Sequence, residues 1–241
     1  LPVPPNLYGG IERIIDALIK AYLEAGHEVT LCAHPDSRVP CKLVAWNGLN
    51  SQSQIDVLKN VYTLTSLFLR TKFDIVHSFS RLAYMTAIFP TKIPKVMSYQ
   101  REPTLSQVKK AVRFASKGTL LFTGCSNYIT RQLATVSDAC TVYNCVPIKN
   151  YAFEDKIEAD APLMFLGRIE DIKGTHIAIK VAEKTNRRLI IAGNIPEGKE
   201  LYFEKKIKPN LNERVQYIGC VNDEQKNEYL GKCAALLMPI Q

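Results

Sequence analysis

Apolar positions along the chain follow two alternating rhythms. After Gly9-Gly10, residues Ile11, Ile14, Ile15, Leu18 and Tyr22 recur at helical spacing, and Gly26 stands where a left-handed cap would close the helix. Short strand-like runs then predict β-structure over 28–33, 42–46, 73–77, 95–99, 119–124 and 140–143. Helices are predicted between several of them, near 54–70, 106–116 and 127–134. The acidic stretch 153–162, which ends at Pro162, reads as a linker. Beyond it the alternation restarts, with strands expected over 163–166, 188–192, 215–218 and 235–239, and helices over 175–185, 198–207 and 224–233. Strand–helix alternation of this kind makes a parallel sheet covered by helices. The expected fold is α/β, with two doubly wound domains in series: 1–152, then the linker 153–162, then 163–241.

The two ends modify this picture. The sequence opens on a Gly-rich loop with no strand leading into it, and lacks an initiator Met. It closes at Gln241, directly after a predicted strand. A first sheet without its leading central strand would keep an unfilled hydrogen-bonding slot. The expectation is therefore a fragment of a longer chain, with the second domain incomplete. Leu1-Pro2-Val3-Pro4-Pro5 has neither the basic flank nor the apolar core of a signal peptide, and no apolar run reaches the ~20 residues of a membrane span.

Charge divides the chain unevenly. Residues 1–152 carry 17 Lys and Arg against 9 Asp and Glu, a net of +8, whereas residues 153–241 carry 14 of each. One basic lobe suits an anionic acceptor or a membrane surface, and a merely solvated face is the plain alternative. The basic residues are dispersed and no nucleic-acid-binding module is visible, so nucleic acid is not an expected partner. Seven scattered cysteines, most of them in apolar runs and none in Cys-x-x-Cys spacing, read as buried thiols of a reducing cytosol. There is no Asp-x-Asp and no His/Cys cluster, so no metal is expected.

The strongest local chemistry lies in 165–175. A strand ends, Arg168 projects from the loop, and Lys173-Gly174 opens a helix. A planar guanidinium, a compact ammonium and the free N–H groups of a helix start would cradle a diphosphate and stabilise charge on it as a leaving group. Gly9-Gly10 forms a second Gly-to-helix junction, where backbone amides can approach a ligand closely. His77 ends a predicted strand, either in a cleft or as a satisfied structural histidine. Gln100-Arg101-Glu102 follows the next strand. Glu102 fits an acid or base, or one half of an ion pair with Arg101. Ser126-Asn127 reads first as a helix cap. There is no Walker A loop and no dinucleotide fingerprint, and the absence of the latter disfavours an oxidoreductase.

Taken in order, several motifs resemble family-four glycosyltransferases. Tyr8-Gly9-Gly10-Ile11-Glu12-Arg13, Gly26-His27-Glu28-Val29 and Phe73-Asp74-Ile75-Val76-His77-Ser78 are similar to the family's first domain. Val142-Tyr143-Asn144-Cys145-Val146-Pro147 looks like its domain-crossing segment, with Cys145 where glycine is usual. Leu166-Gly167-Arg168, Lys173-Gly174, Leu189-Ile190-Ile191-Ala192-Gly193, Tyr217-Ile218-Gly219, Val221 and Leu236-Leu237-Met238-Pro239 resemble the donor domain.

The resemblance implies the GT-B fold of two Rossmann-like lobes, with acceptor in the first and nucleotide-diphosphate sugar (UDP or GDP type) in the second. It implies retained anomeric configuration and no metal or other cofactor. Arg168 and Lys173 match the pair gripping the donor diphosphate, Gly9 and Gly10 the loop against the donor, and Gly193 and Val221 the nucleoside lining. His77, with Gln100, Arg101 and Glu102, is left to orient sugar or acceptor. Gln100 stands where many relatives have histidine. The family's two glutamates, eight positions apart, fall beyond Ile240. A role in cell-envelope polysaccharide synthesis is expected, in the cytoplasm or at the inner membrane face, on a glycan or lipid-linked acceptor. The competing class is a non-catalytic nucleotide-sugar or glycan-binding protein.

Overall fold

A computed structural model describes residues 1–6, 9–50 and 52–240. The chain forms two compact units, Leu1–Val146 and Pro147–Gln241.

In the first unit, helix α1 (Gly10–Glu24) precedes β1 (Thr30–Ala33) and β2 (Lys42–Ala45), which pair in parallel as a two-stranded sheet. Helix α2 (Gln54–Arg70) follows, its Ser53 side chain accepting from the Asp56 N–H. Then come β3 (Val76–Ser78), β4 (Lys95–Tyr99), α3 (Leu105–Phe114), β5 (Leu120–Gly124), α4 (Asn127–Leu133) and β6 (Ala139–Thr141). These four strands form a second parallel sheet in the order β3-β4-β5-β6. β1 and β3 are not partners, in keeping with the unfilled hydrogen-bonding slot expected of this sheet. Among the described residues no strand lies between them, so each keeps one backbone edge outside the ladders.

The segment Leu82–Ile88, not foreseen from periodicity, is a 3₁₀ helix that buries Leu82, Tyr84, Met85 and Ile88 in the main core. Helices α2, α3 and α4 pack into that same core through Leu64, Val108, Ala111, Ile129 and Leu133. Asn60 and Lys95 are the most deeply buried polar side chains described in the unit, each 1% exposed. Asn60 bonds both the N–H and the carbonyl of Gly48, at 2.8 and 2.9 Å. Lys95 donates to the carbonyls of Thr91 and Ile93 and to Thr119 Oγ1, and burial lowers its pKa.

The second unit holds one parallel sheet, ordered β10 (Ala235–Leu237), β7 (Leu163–Leu166), β8 (Leu189–Ala192), β9 (Val215–Tyr217). Side chains alternate between its two faces, as strand geometry requires. Leu163, Phe165, Leu189 and Ile191 pack with Ala178, Ile179 and Ala182 of α5 (Thr175–Lys184). Met164 and Ala192 pack on the other side with Tyr229 and Leu230 of α7 (Asp223–Lys232). Helices on both faces explain why β7 and β8 are nearly continuous apolar runs. The helix expected over 198–207 is instead a short α6 (Glu200–Tyr202) widening into a π-turn, Phe203–Ile207, which buries Ile207. The acidic segment 153–162 is tied to this unit, since Arg187 donates to the Ala161 carbonyl and Arg188 to Asp160.

All seven cysteines are free. The expectation of buried thiols is corrected: Cys140, Cys145 and Cys220 are exposed, and Cys233 alone is fully buried. Apolar neighbours in sequence do not bury a thiol that lies at an edge strand or in a loop, where these three fall. Among the described residues, no helix is long and apolar enough to cross a membrane.

Candidate functional site

The carboxyl edge of the second sheet is where an open α/β fold receives ligands. There the loops after β7, β8 and β9 are stitched together by backbone bonds. Gly167 N–H donates to Ala192 O, Ile169 N–H to Asn194 O, and Gly193 N–H to Gly219 O, at 2.8–3.0 Å. Gly193 has φ +147, and a Cβ on it would lie 1.8 Å from the Gly167 carbonyl oxygen. Glycine is thus required at Gly193 for two loops to cross, independently of any ligand. Tyr217 Oη donates to the Gly193 carbonyl and fixes it further. Val221, the other residue assigned to nucleoside lining, packs against the core of Met164 and Ala192.

Arg168 leaves the end of β7, anchored by the fully buried Ile169 beside it. Its Nη2 lies 2.6 Å from Glu170 Oε1, an ion pair whose angle misses a straight hydrogen bond. Glu170 is itself buried, so the guanidinium is held in one orientation by a carboxylate that solvent hardly screens. The short 3₁₀ turn Asp171–Lys173 follows. Gly174 then turns the chain into α5 with φ +71, and a Cβ there would meet the Pro239 carbonyl oxygen at 2.1 Å. Lys173 is half-buried and forms no ion pair with a described residue.

The expected row of free amides at the start of α5 needs correction. The His176 N–H is 3.3 Å from Tyr202 Oη, which also meets His176 Nδ1 at 2.8 Å. Ile177 and Ala178 donate to Gly174 O, and the amides of Lys173 and Gly174 are used within the turn. The cationic groups that this loop offers are therefore the side chains of Arg168 and Lys173, more than the amides of the helix N-terminus. Glu170, Tyr202 and Asn194 escaped the sequence reading. Asn194 follows Gly193, and its Oδ1 is buried with no hydrogen-bond partner among the described residues. The polar residue directly after a strand-terminal glycine was the available signal.

In the first unit, Gly9 precedes α1; a Cβ there would lie 2.6 Å from Pro5 Cβ, whereas Gly10 faces open space. Tyr8 lies outside the described residues. His77, on β3, has both ring nitrogens engaged: Nδ1 with Tyr22 Oη at 3.0 Å and Nε2 with Ser98 Oγ at 2.7 Å. Ser98 Oγ continues to Thr123 Oγ1 at 2.6 Å. The chain Tyr22–His77–Ser98–Thr123 ties α1 to β3, β4 and β5, and burial lowers the His77 pKa. For His77 to bond a substrate, one of these links must open. Gln100 is half-buried after β4, and Arg101 and Glu102 are exposed. Glu102 accepts a hydrogen bond from Tyr128 Oη, which raises the Tyr128 pKa, a partner that neither alternative for Glu102 named. No group of three or more His, Cys, Asp or Glu among the described residues could hold a metal ion.

The family model for Glycosyltransferase Family 4 matches residues 8–149, and that for Glycosyl transferases group 1 matches residues 149–241. The chain belongs to glycosyltransferase family 4, and its two parallel α/β units have the GT-B fold. Among solved structures it is similar to AviGT4, a glycosyltransferase involved in avilamycin A biosynthesis, with TM-score 0.73 and 24% identity over 100% of this chain. It is also similar to Anabaena Alr3699/HepE, solved with UDP and glucose, with TM-score 0.67, 17% identity and coverage of 95% of this chain and 70% of that one. A third is WaaB, a lipopolysaccharide outer core galactosyltransferase, with TM-score 0.62, 18% identity and coverage of 98% and 72%. The chain spans 64% of the length of AviGT4. No curated protein matches the sequence.

Proposed function

We propose that this protein transfers a sugar from a nucleotide-diphosphate donor to a glycan or lipid-linked acceptor, with retention of configuration and without a metal. The observation that carries the reading is the β7–α5 loop, which places Arg168 and Lys173 at the carboxyl edge of the sheet in a chain of this family. As the glycosidic bond to the donor breaks, negative charge grows on the departing diphosphate. Arg168, oriented by Glu170, and Lys173 would stabilise that charge in place of a divalent cation. Gly9 and Gly10, at the start of α1, would be further contacts of the donor, as the resemblance implies. Gln100, Arg101 and Glu102, at the carboxyl end of β4, would contact sugar or acceptor, and His77 would hold the edge from which they project.

The reading places the enzyme in cell-envelope polysaccharide synthesis on the cytoplasmic face of a membrane, contacted through the basic first domain. The test is donor turnover by wild type and Arg168→Ala across UDP- and GDP-sugars in the presence of EDTA. A loss of about 100-fold or more in the variant, with an unchanged melting curve, is expected. Tight donor binding with no hydrolysis or transfer by the wild type would instead mark a non-catalytic binding protein of this fold.

A further inference from the structure

Helix α2 is apolar on two sides. Val57, Val61, Leu64 and Phe68 face the core. About 120° round the helix from that face, Ile55, Leu58, Tyr62 and Leu69 are 68, 67, 72 and 83% exposed. At 3.6 residues per turn these four fall within an arc of about 60°, a stripe roughly 21 Å long. Scattered exposed apolar residues are ordinary, but four on one line of one helix are an unpartnered face.

The surroundings of the stripe are cationic. Lys59 and Arg70 border it, and the single acid of the helix, Asp56, is held by Lys59 at 2.9 Å. Helix α3, which packs with α2 against the Leu82–Ile88 segment, exposes Lys109, Lys110 and Arg113 and contains no acid. An apolar stripe among cations is the pattern of a helix lying in the interface of an anionic bilayer, with apolar side chains in the acyl boundary and Lys and Arg at the headgroups. A second copy of this chain would bring cations against cations, which disfavours self-association through the same face.

We propose that the exposed apolar stripe of α2, bordered by Lys59 and Arg70 and aided by the exposed cations of α3 in the same unit, docks on an anionic phospholipid surface. This deepens the membrane contact suggested above by naming the face that makes it. The test needs no turnover, so its failure leaves the transferase reading standing.

The 241-residue chain is floated with phosphatidylcholine vesicles, and with vesicles of equal parts phosphatidylcholine and phosphatidylglycerol. Anionic vesicles should bind at least about ten-fold more tightly. Leu58→Gln with Tyr62→Gln should weaken that binding on the order of 100-fold, about ten-fold per side chain withdrawn from the acyl boundary. Lys109→Gln with Lys110→Gln should weaken it roughly ten-fold at low salt and far less at high salt. Phe153→Gln, at an 89% exposed position of the second unit, should change nothing. All four sites varied on α2 and α3 are at the surface, and far-UV circular dichroism checks that the helices persist. The proposal is overturned by failure to float with anionic vesicles, or by binding that survives the α2 substitutions. A dimer abolished by those substitutions, with no vesicle binding, would assign the face to self-association instead.

Discussion

Replacing His77 with alanine tests whether the hydrogen-bonded chain across the first unit is a structural tie. The substitution removes the bonds to Tyr22 Oη and Ser98 Oγ, each worth about 1 kcal/mol net. It also removes a ring packed 4.6 Å from the Phe79 ring and 6.4 Å from Tyr22, contributing roughly another 1 kcal/mol. The expected loss is about 3 kcal/mol, a fall in melting temperature of roughly 10 °C for a unit of this size. The single tryptophan, Trp46, lies in the same unit with its ring 5.3 Å from Tyr84, so its fluorescence reports this unit alone.

The pH dependence has a definite sign. Burial lowers the His77 pKa from 6.5, so between 6.5 and the lowered value the unfolded chain binds the proton more readily. This contribution to stability is present above pH 6.5 and is lost as pH falls through the window down to the folded pKa. The wild type should therefore lose stability faster than His77→Ala as pH is lowered below 6.5. A melting shift of under ~2 °C, or parallel pH profiles, would refute the assignment of His77 as a tie between α1 and the sheet.

Other consequences concern buried polar groups and close backbone contacts. Gly193→Ala should cost more than about 3 kcal/mol in the second unit, because its Cβ would lie 1.8 Å from the Gly167 oxygen at a φ that alanine rarely adopts. Calorimetric melting of the second unit checks this, and an unchanged transition would show that the loops can part freely. Lys95→Met should cost about 3 kcal/mol in urea unfolding followed by Trp46 fluorescence. The side chain keeps its length while the Thr91 and Ile93 carbonyls and the Thr119 hydroxyl lose their shared donor. A neutral or stabilising outcome would mean that water replaces the ammonium there.

Periodicity was a good guide where one physical cause dominated. The apolar runs of β7 and β8 and the helical spacing of α1, α2 and α5 specify their own burial, and the elements appear close to where the pattern puts them. The Leu82–Ile88 segment was missed because a 3₁₀ turn has no strong period, and its four buried residues are recognised only by what they pack against. The gap between β1–β2 and β3–β6 was legible as a slot without a strand, but its place in the strand order depends on which strands pair, and local pattern carries no record of that.

At the candidate site, the position of Arg168 and Lys173 between a strand and a helix was legible, because the strand end and the Gly174 turn both show in the local pattern. Glu170 and Tyr202 were not, since their effect is to orient a guanidinium and to occupy an amide, and both depend on distances across the fold. The backbone requirement for glycine at Gly193, set by its conformation and its approach to Gly167, was not legible, since it depends on a loop distant in sequence.

The central claim is that Arg168 and Lys173 hold a nucleotide through its diphosphate. Calorimetric titration of the wild type, Arg168→Ala and Lys173→Ala with UDP, GDP and the parent nucleosides tests it most directly. The account requires a diphosphate to bind at least about 100-fold more tightly than its nucleoside, and either substitution to remove most of that advantage while nucleoside binding stays the same. Diphosphate affinity unchanged in both variants would contradict it and move the anion site away from the β7–α5 loop.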